Sequence, residues 1–109
     1  NCSSIGVKFG GSQYNYNYSL SKHSSEFIPS ELKKMSKKNI LVNNLRIGVT
    51  NTKIHKKMKR NKKNLIKRES LIPIGRIAQI NEIVRYIVFF ASKENSYVTN
   101  ETISIAGGE

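Results

Sequence analysis

The sequence predicts an α/β fold in which about three parallel strands are joined by helical crossovers. Two observations carry this expectation. Short aliphatic runs lie near residues 1–5, 39–47 and 102–106, and the long segments between them have helical rather than alternating spacing. Strands joined through helices pair in parallel, with right-handed crossovers. Hydrophobic residues make up 38% of the 109, enough for a modest core.

Residues 1–5 read as the end of a strand that runs into a loop bearing Gly6, Gly10, Gly11 and Ser12. From about Gln13 to Lys38 the pattern is helical, with Leu20, Phe27, Ile28 and Leu32 near a 3.6-residue period and basic residues at the C-terminal end. Pro29 interrupts that stretch and predicts a kink or break. Asn39 to Ile47 reads as a buried strand. Between Gly48 and Pro73 the chain is looser, and its helical portion, roughly Lys53 to Glu69, is thin in apolar residues and expected to be the most mobile. Asn81 is the expected N-cap of a helix ending near Ser92, with Glu82 in its first turn. Ile83, Val84, Ile87, Val88 and Ala91 form its expected packing face. Thr102 to Ala106 alternates as a short strand and stops at Gly107-Gly108. Two good helices are too few to cover both faces of a parallel sheet, so the chain reads as half a domain.

The charge is +12, from nineteen basic and seven acidic residues. Nine of the basic residues fall between Lys53 and Arg68, which raises a small nucleic-acid-binding module as one reading. That run has no aromatic residue for base stacking and matches no zinc-finger, RNP or KH pattern. Fourteen isoleucines and twelve asparagines beside fourteen lysines point instead to an AT-rich coding sequence. Cys2 is the one cysteine, which excludes an internal disulfide and fits a reducing, cytoplasmic location. No apolar run is long enough to span a membrane, no targeting peptide is visible, and the first residue is not methionine. His23 and His55 have no accompanying Cys/His/Asp cluster, so no metal site is expected.

Tyr18 and Lys22 are four apart and share one face of a helix. Phenol is a poor acid or base at neutral pH, but a neighbouring ammonium favours the phenolate and makes the pair a usable general acid/base. Ser3 or Ser4, at the end of the preceding strand, would hold a substrate oxygen on which charge develops. Taken alone, this spacing describes a packed ring beside a solvated lysine just as well.

The string NCSSIG with Tyr-Ser-Leu-Ser-Lys, then NNLRIGVTNT, LIPIGRIAQINEI and SYVTNETISIAGG, resembles the C-terminal half of a short-chain dehydrogenase/reductase over nearly the whole chain. The resemblance implies a partial Rossmann-like, doubly wound sheet: residues 1–109 as the C-terminal, substrate-side part of one NAD(P)-binding domain whose N-terminal cofactor-binding half is absent. It implies Tyr18 as acid/base, Lys22 as its activator and ribose ligand, and Ser4 as the group that polarises the substrate oxygen. The Ser4 to Tyr18 gap is one residue longer than the family's commonest, which leaves Ser3 open and requires the loop to absorb an insertion. Tyr14 and Tyr16 lack a lysine four residues on. Gly48, Val49 and Thr52 fall where the family contacts the nicotinamide carboxamide, although Ile47 stands where it has proline. The basic stretch that follows takes the place of the substrate-covering lid and weakly suggests an anionic substrate.

The Gly-rich TGxxxGxG turn, the residue that selects NAD or NADP and the Asn-Asn-Ala-Gly segment have no counterpart in the sequence. Expected, then, is part of an NAD(P)-dependent oxidoreductase acting on a small carbonyl or alcohol, inactive as an isolated chain and homo-oligomeric as a complete enzyme. The alternatives are a non-catalytic remnant or partner subunit, and the basic module.

Overall fold

The computed structural model describes residues 1–57 and 62–109. The elements run β1 (Cys2–Ser4), α1 (Tyr16–Ser25), α2 (Ser30–Lys34), β2 (Asn44–Ile47), α3 (Ile54–Lys57), α4 (Lys62–Glu69), α5 (Ile80–Ala91) and β3 (Thr102–Ile105), with 3-10 turns at Ile5–Val7 and Met35–Lys38. The three strands form one parallel sheet in the order β1-β2-β3. The fold class read from the sequence stands.

Register separates the two faces. Cys2, Leu45 and Ile103 are aligned, as are Ser4, Ile47 and Ile105; Ser3, Arg46 and Ser104 alternate with them and face the other way. The first set is apolar beyond β1, and α5 lies over it with Ile83 buried. The second set is polar and meets the end of α1. Arg46 there makes a two-pronged ion pair with Glu26, Nε to Oε1 at 2.8 Å and Nη2 to Oε2 at 2.6 Å. Asn44, 1% exposed, donates to the Glu26 carbonyl at 2.7 Å and accepts from the Asn1 side chain at 2.9 Å.

Two boundaries and two packing faces differ from the sequence reading. The strand expected from Asn39 begins only at Asn44, because Asn39 takes a left-handed conformation (φ 58°) that closes the preceding 3-10 turn. Helix α1 does stop before Pro29, but Leu20, Phe27 and Leu32 are exposed. The period was right and the phase wrong: Ser19, Lys22 and Glu26 are the residues through which α1 meets β1 and β2. Helix α5 is capped one turn-edge earlier than expected, by Gln79 rather than Asn81, with Glu82 closing a capping box onto the Gln79 N–H at 2.7 Å. Its packing face is also rotated, for Val84, Val88 and Ala91 are exposed while Ile83 is buried and Ile87 half-buried. The expectation of mobility between Lys53 and Glu69 falls partly on residues 58–61, outside the described residues.

Candidate active site

Ser4 ends β1 and caps the 3-10 turn that follows, its Oγ accepting from the Gly6 N–H at 3.2 Å. From there the glycine loop folds back over α1. A Cβ on Gly6 would lie 3.4 Å from Ser4 Oγ and 3.5 Å from Ser19 Oγ, so these two hydroxyls flank Gly6. One on Gly11 (φ +79°) would lie 2.7 Å from Ser19 Oγ and 3.0 Å from the Tyr16 Cα. Glycine is therefore required at 11 for both space and backbone angle. Buried Ser19 is the peg on which the loop closes, and it stands one residue beyond Tyr18. Sequence reasoning passed over Ser19; the signal was a small residue facing two glycines.

Further along the helix, Lys22 Nζ donates to the Cys2 carbonyl at 3.0 Å. In this parallel ladder the Asn1 carbonyl accepts from Leu45, so Asn1 and Ser3 bond to β2 and the backbone groups of Cys2 and Ser4 point to the outer edge. Lys22 thus sits on the outer edge of β1, two residues from Ser4. Tyr18, four residues before Lys22 and 51% exposed, lies toward the Ser4 end of the strand. Helix α1, which carries Tyr18 and Lys22, thus packs on β1 through Lys22 and on the turn after Ser4 through Ser19.

Ser3 is in another place. It is buried, faces away from Ser4 by register, and its hydroxyl has no hydrogen-bond partner among the described residues. The Arg46 hydrogen bonds hold the Glu26 carboxyl below the usual carboxylate range against the opposing effect of burial. Ser3 belongs to the packing of the sheet on its α1 face.

The second strand end carries Gly48, Val49 and Thr52. Gly48 donates to the Ile105 carbonyl at 2.9 Å, and a Cβ there would meet the Ala106 Cα at 2.7 Å, so its close approach is to β3. Val49's carbonyl accepts from Ala78 at 3.0 Å, and Thr52 is exposed at the start of α3. Beyond them an open, mainly apolar cavity of about 320 Å³ lies between β3, α5 and residues 72–78. At its rim Arg76 binds both oxygens of Glu82 at 2.7 Å, and with the Gln79 N–H brings the Glu82 carboxyl down to about 2. Among the described residues, no group of three His, Cys, Asp or Glu could hold a metal ion, and no helix is long and apolar enough to cross a membrane.

The family model described as enoyl-(acyl carrier protein) reductase matches residues 1–109. The chain belongs to the short-chain dehydrogenase/reductase family. It is 35% identical over 111 residues to the 3-oxoacyl-[acyl-carrier-protein] reductase FabG of Chlamydia trachomatis, covering 99% of this chain and 43% of that protein. Among solved structures it is similar to YwfH, an NADPH-dependent reductase involved in bacilysin biosynthesis, with 28% identity and a TM-score of 0.78 over 99% of this chain and 44% of that one. An NADH-dependent reductase responsible for alginate metabolism matches with 25% identity and a TM-score of 0.75, over 98% of this chain and 39% of that one. The chain thus spans less than half the length of these relatives.

The residues of this dehydrogenase/reductase chain fit one end of a nicotinamide nucleotide. The Ser4 hydroxyl and the Gly48–Thr52 loop stand at the carboxyl ends of β1 and β2, where ligands of open α/β sheets bind, and the Lys22 ammonium lies alongside β1. Gly6 and Gly11, by contrast, are filled by Ser19 and offer no phosphate cradle.

Proposed function

We propose that residues 1–109 are the catalytic, substrate-side part of an NAD(P)-dependent oxidoreductase that interconverts a carbonyl and an alcohol. The observation that supports this reading is the packing of α1 along β1, with Lys22 Nζ on the Cys2 carbonyl and the Ser4 and Ser19 hydroxyls flanking Gly6. Ser4 donates a hydrogen bond to the substrate oxygen as charge develops there. Tyr18 gives that oxygen its proton in the reductive direction and takes it back in the other. Lys22 stabilises the phenolate left behind and binds the ribose hydroxyls. Val49 and Thr52 orient the carboxamide, with Gly48 fixing their loop against β3. The nicotinamide nucleotide, when bound, supplies or accepts the hydride. The similarity to acyl-carrier-protein reductases and the basic run at Lys53–Arg68 favour an anionic, carrier-linked carbonyl substrate.

The isolated chain is expected to leave NADPH unoxidised with any carbonyl. Joined to the leading portion of the Chlamydia trachomatis reductase, it should turn over, and Tyr18→Phe should lower kcat about 10³-fold while leaving NADPH affinity intact. A Tyr18→Phe chimera with unchanged kcat removes the assignment. Turnover by residues 1–109 alone removes the view that the site is completed from outside them.

A further inference from the structure

Ile47 leaves the loop after β2 without the rigid residue that would stiffen it, yet the structure holds that loop closely. Gly48 is tied to β3, and Thr50 forms a single parallel bridge with Ala78, in which Ala78 donates to Val49 and Asn51 donates to Ala78 at 2.8 Å. The Thr50 hydroxyl donates to the Gly48 carbonyl at 3.0 Å. What remains is the Thr50 carbonyl, and His55 Nε2 lies 2.8 Å from it. His55 is buried, on the second residue of α3.

A carbonyl oxygen only accepts, so Nε2 carries a proton and donates it, and Nδ1 is the ring's other polar atom. Among the described residues that Nδ1 is buried without a partner. The Nε2–H bond is therefore what orients the ring. From it we infer that His55 is a positioning residue for the loop Gly48–Thr52, clamping the Thr50 carbonyl from one side while Ala78 pairs with the backbone from the other. This inference rests on the dehydrogenase reading for its purpose, since the clamped peptide lies between Val49 and Thr52. Its geometry does not depend on that reading.

The test uses the 109-residue chain and needs no cofactor. Long-range 1H–15N correlation should show His55 as the Nε2–H tautomer; an Nδ1–H ring overturns the proposal. Amide exchange should be about fivefold faster at Asn51 and Ala78 in His55→Leu, the loss of one ordinary hydrogen bond. The Arg46 and Gly48 amides of the β2–β3 ladder should be unchanged. In His55→Gln, whose side-chain amide replaces the Nε2 donor, the two rates should return close to wild type. Wild-type rates in His55→Leu, or no restoration in His55→Gln, overturn it. Because exchange is read without cofactor, its outcome is separate from the Tyr18→Phe result on which the dehydrogenase reading stands.

Discussion

The two faces of the sheet are held by different forces. On the α1 face the contacts are directional and polar: Glu26 with Arg46, Asn44 with the Glu26 carbonyl, Lys22 with the Cys2 carbonyl. On the α5 face they are aliphatic, centred on Leu45, Ile72 and Ile83, and open to an apolar cavity. Aliphatic packing tolerates small shifts, whereas hydrogen bonds to buried groups do not. Tyr18 and Lys22 are carried by the helix of the directional face, whereas Ser4 alternates with Ser3 onto the other one. An acid/base that must meet a substrate oxygen within a few tenths of an ångström is better placed on the directional face than on one whose packing can slide.

The sharpest way to break this contrast is at Glu26. Glu26→Ala leaves the Arg46 guanidinium without its partner and should cost on the order of 3 kcal/mol in urea unfolding, while Glu26→Leu with Arg46→Met together should recover much of it. A loss below about 1 kcal/mol in the single variant would show that the polar face is decoration. The same pair predicts an acid dependence. Folding lowers the Glu26 carboxyl from its ordinary 4.5, so its contribution is full above that value and is lost as pH falls through the lowered one. Wild type should therefore lose stability on acidification that Glu26→Gln, which cannot titrate, does not.

On the aliphatic face the effects should be smaller and graded by volume. Ile83→Val should cost about 1 kcal/mol, with no change in the amide exchange of α1. A coupled change in α1 would mean that the two faces are not independent. Smallest of all is the exposed Arg76–Glu82 pair at the mouth of the cavity. There Arg76→Gln should raise the Glu82 carboxyl from about 2 toward 4.5 in an NMR titration, with little effect on the unfolding midpoint. A large stability change would move that pair into the framework of the fold.

The same contrast explains what the sequence made legible. The three strands, the parallel order, the break before Pro29 and the Tyr18/Lys22 face were all readable, because alternation, breakers and helical spacing are local. The sheet-facing stripe of α1 was not. Pattern reading looks for apolar residues on the buried side, and here that side is Ser19, Lys22 and Glu26, while Leu20 and Phe27 are exposed. Glu26 and Arg46 are twenty residues apart and acquire meaning only when β2 brings them together. Likewise His55 carried no motif; only the direction of the Thr50 carbonyl gives it a role. That Ser3 and Ser4 face opposite sides of the sheet needed the pleat of β1, which one pair of adjacent serines cannot reveal.

The peg-and-loop arrangement at Ser19 also bears on how such a chain accommodates insertions. The loop is pinned at its start by the Ser4 cap and at its end where Gly11 closes on Ser19, and Lys8 to Gly10 between those pins make no side-chain bond among those described. Lengthening a closed loop costs little, roughly 0.6 kcal/mol for each doubling. An extra residue between the pins therefore changes the tether and leaves the anchors alone. Evolution is free to vary the count of residues separating serine from tyrosine here, since the distance between their side chains is set by the fold around Ser19 and no longer by the length of chain between them.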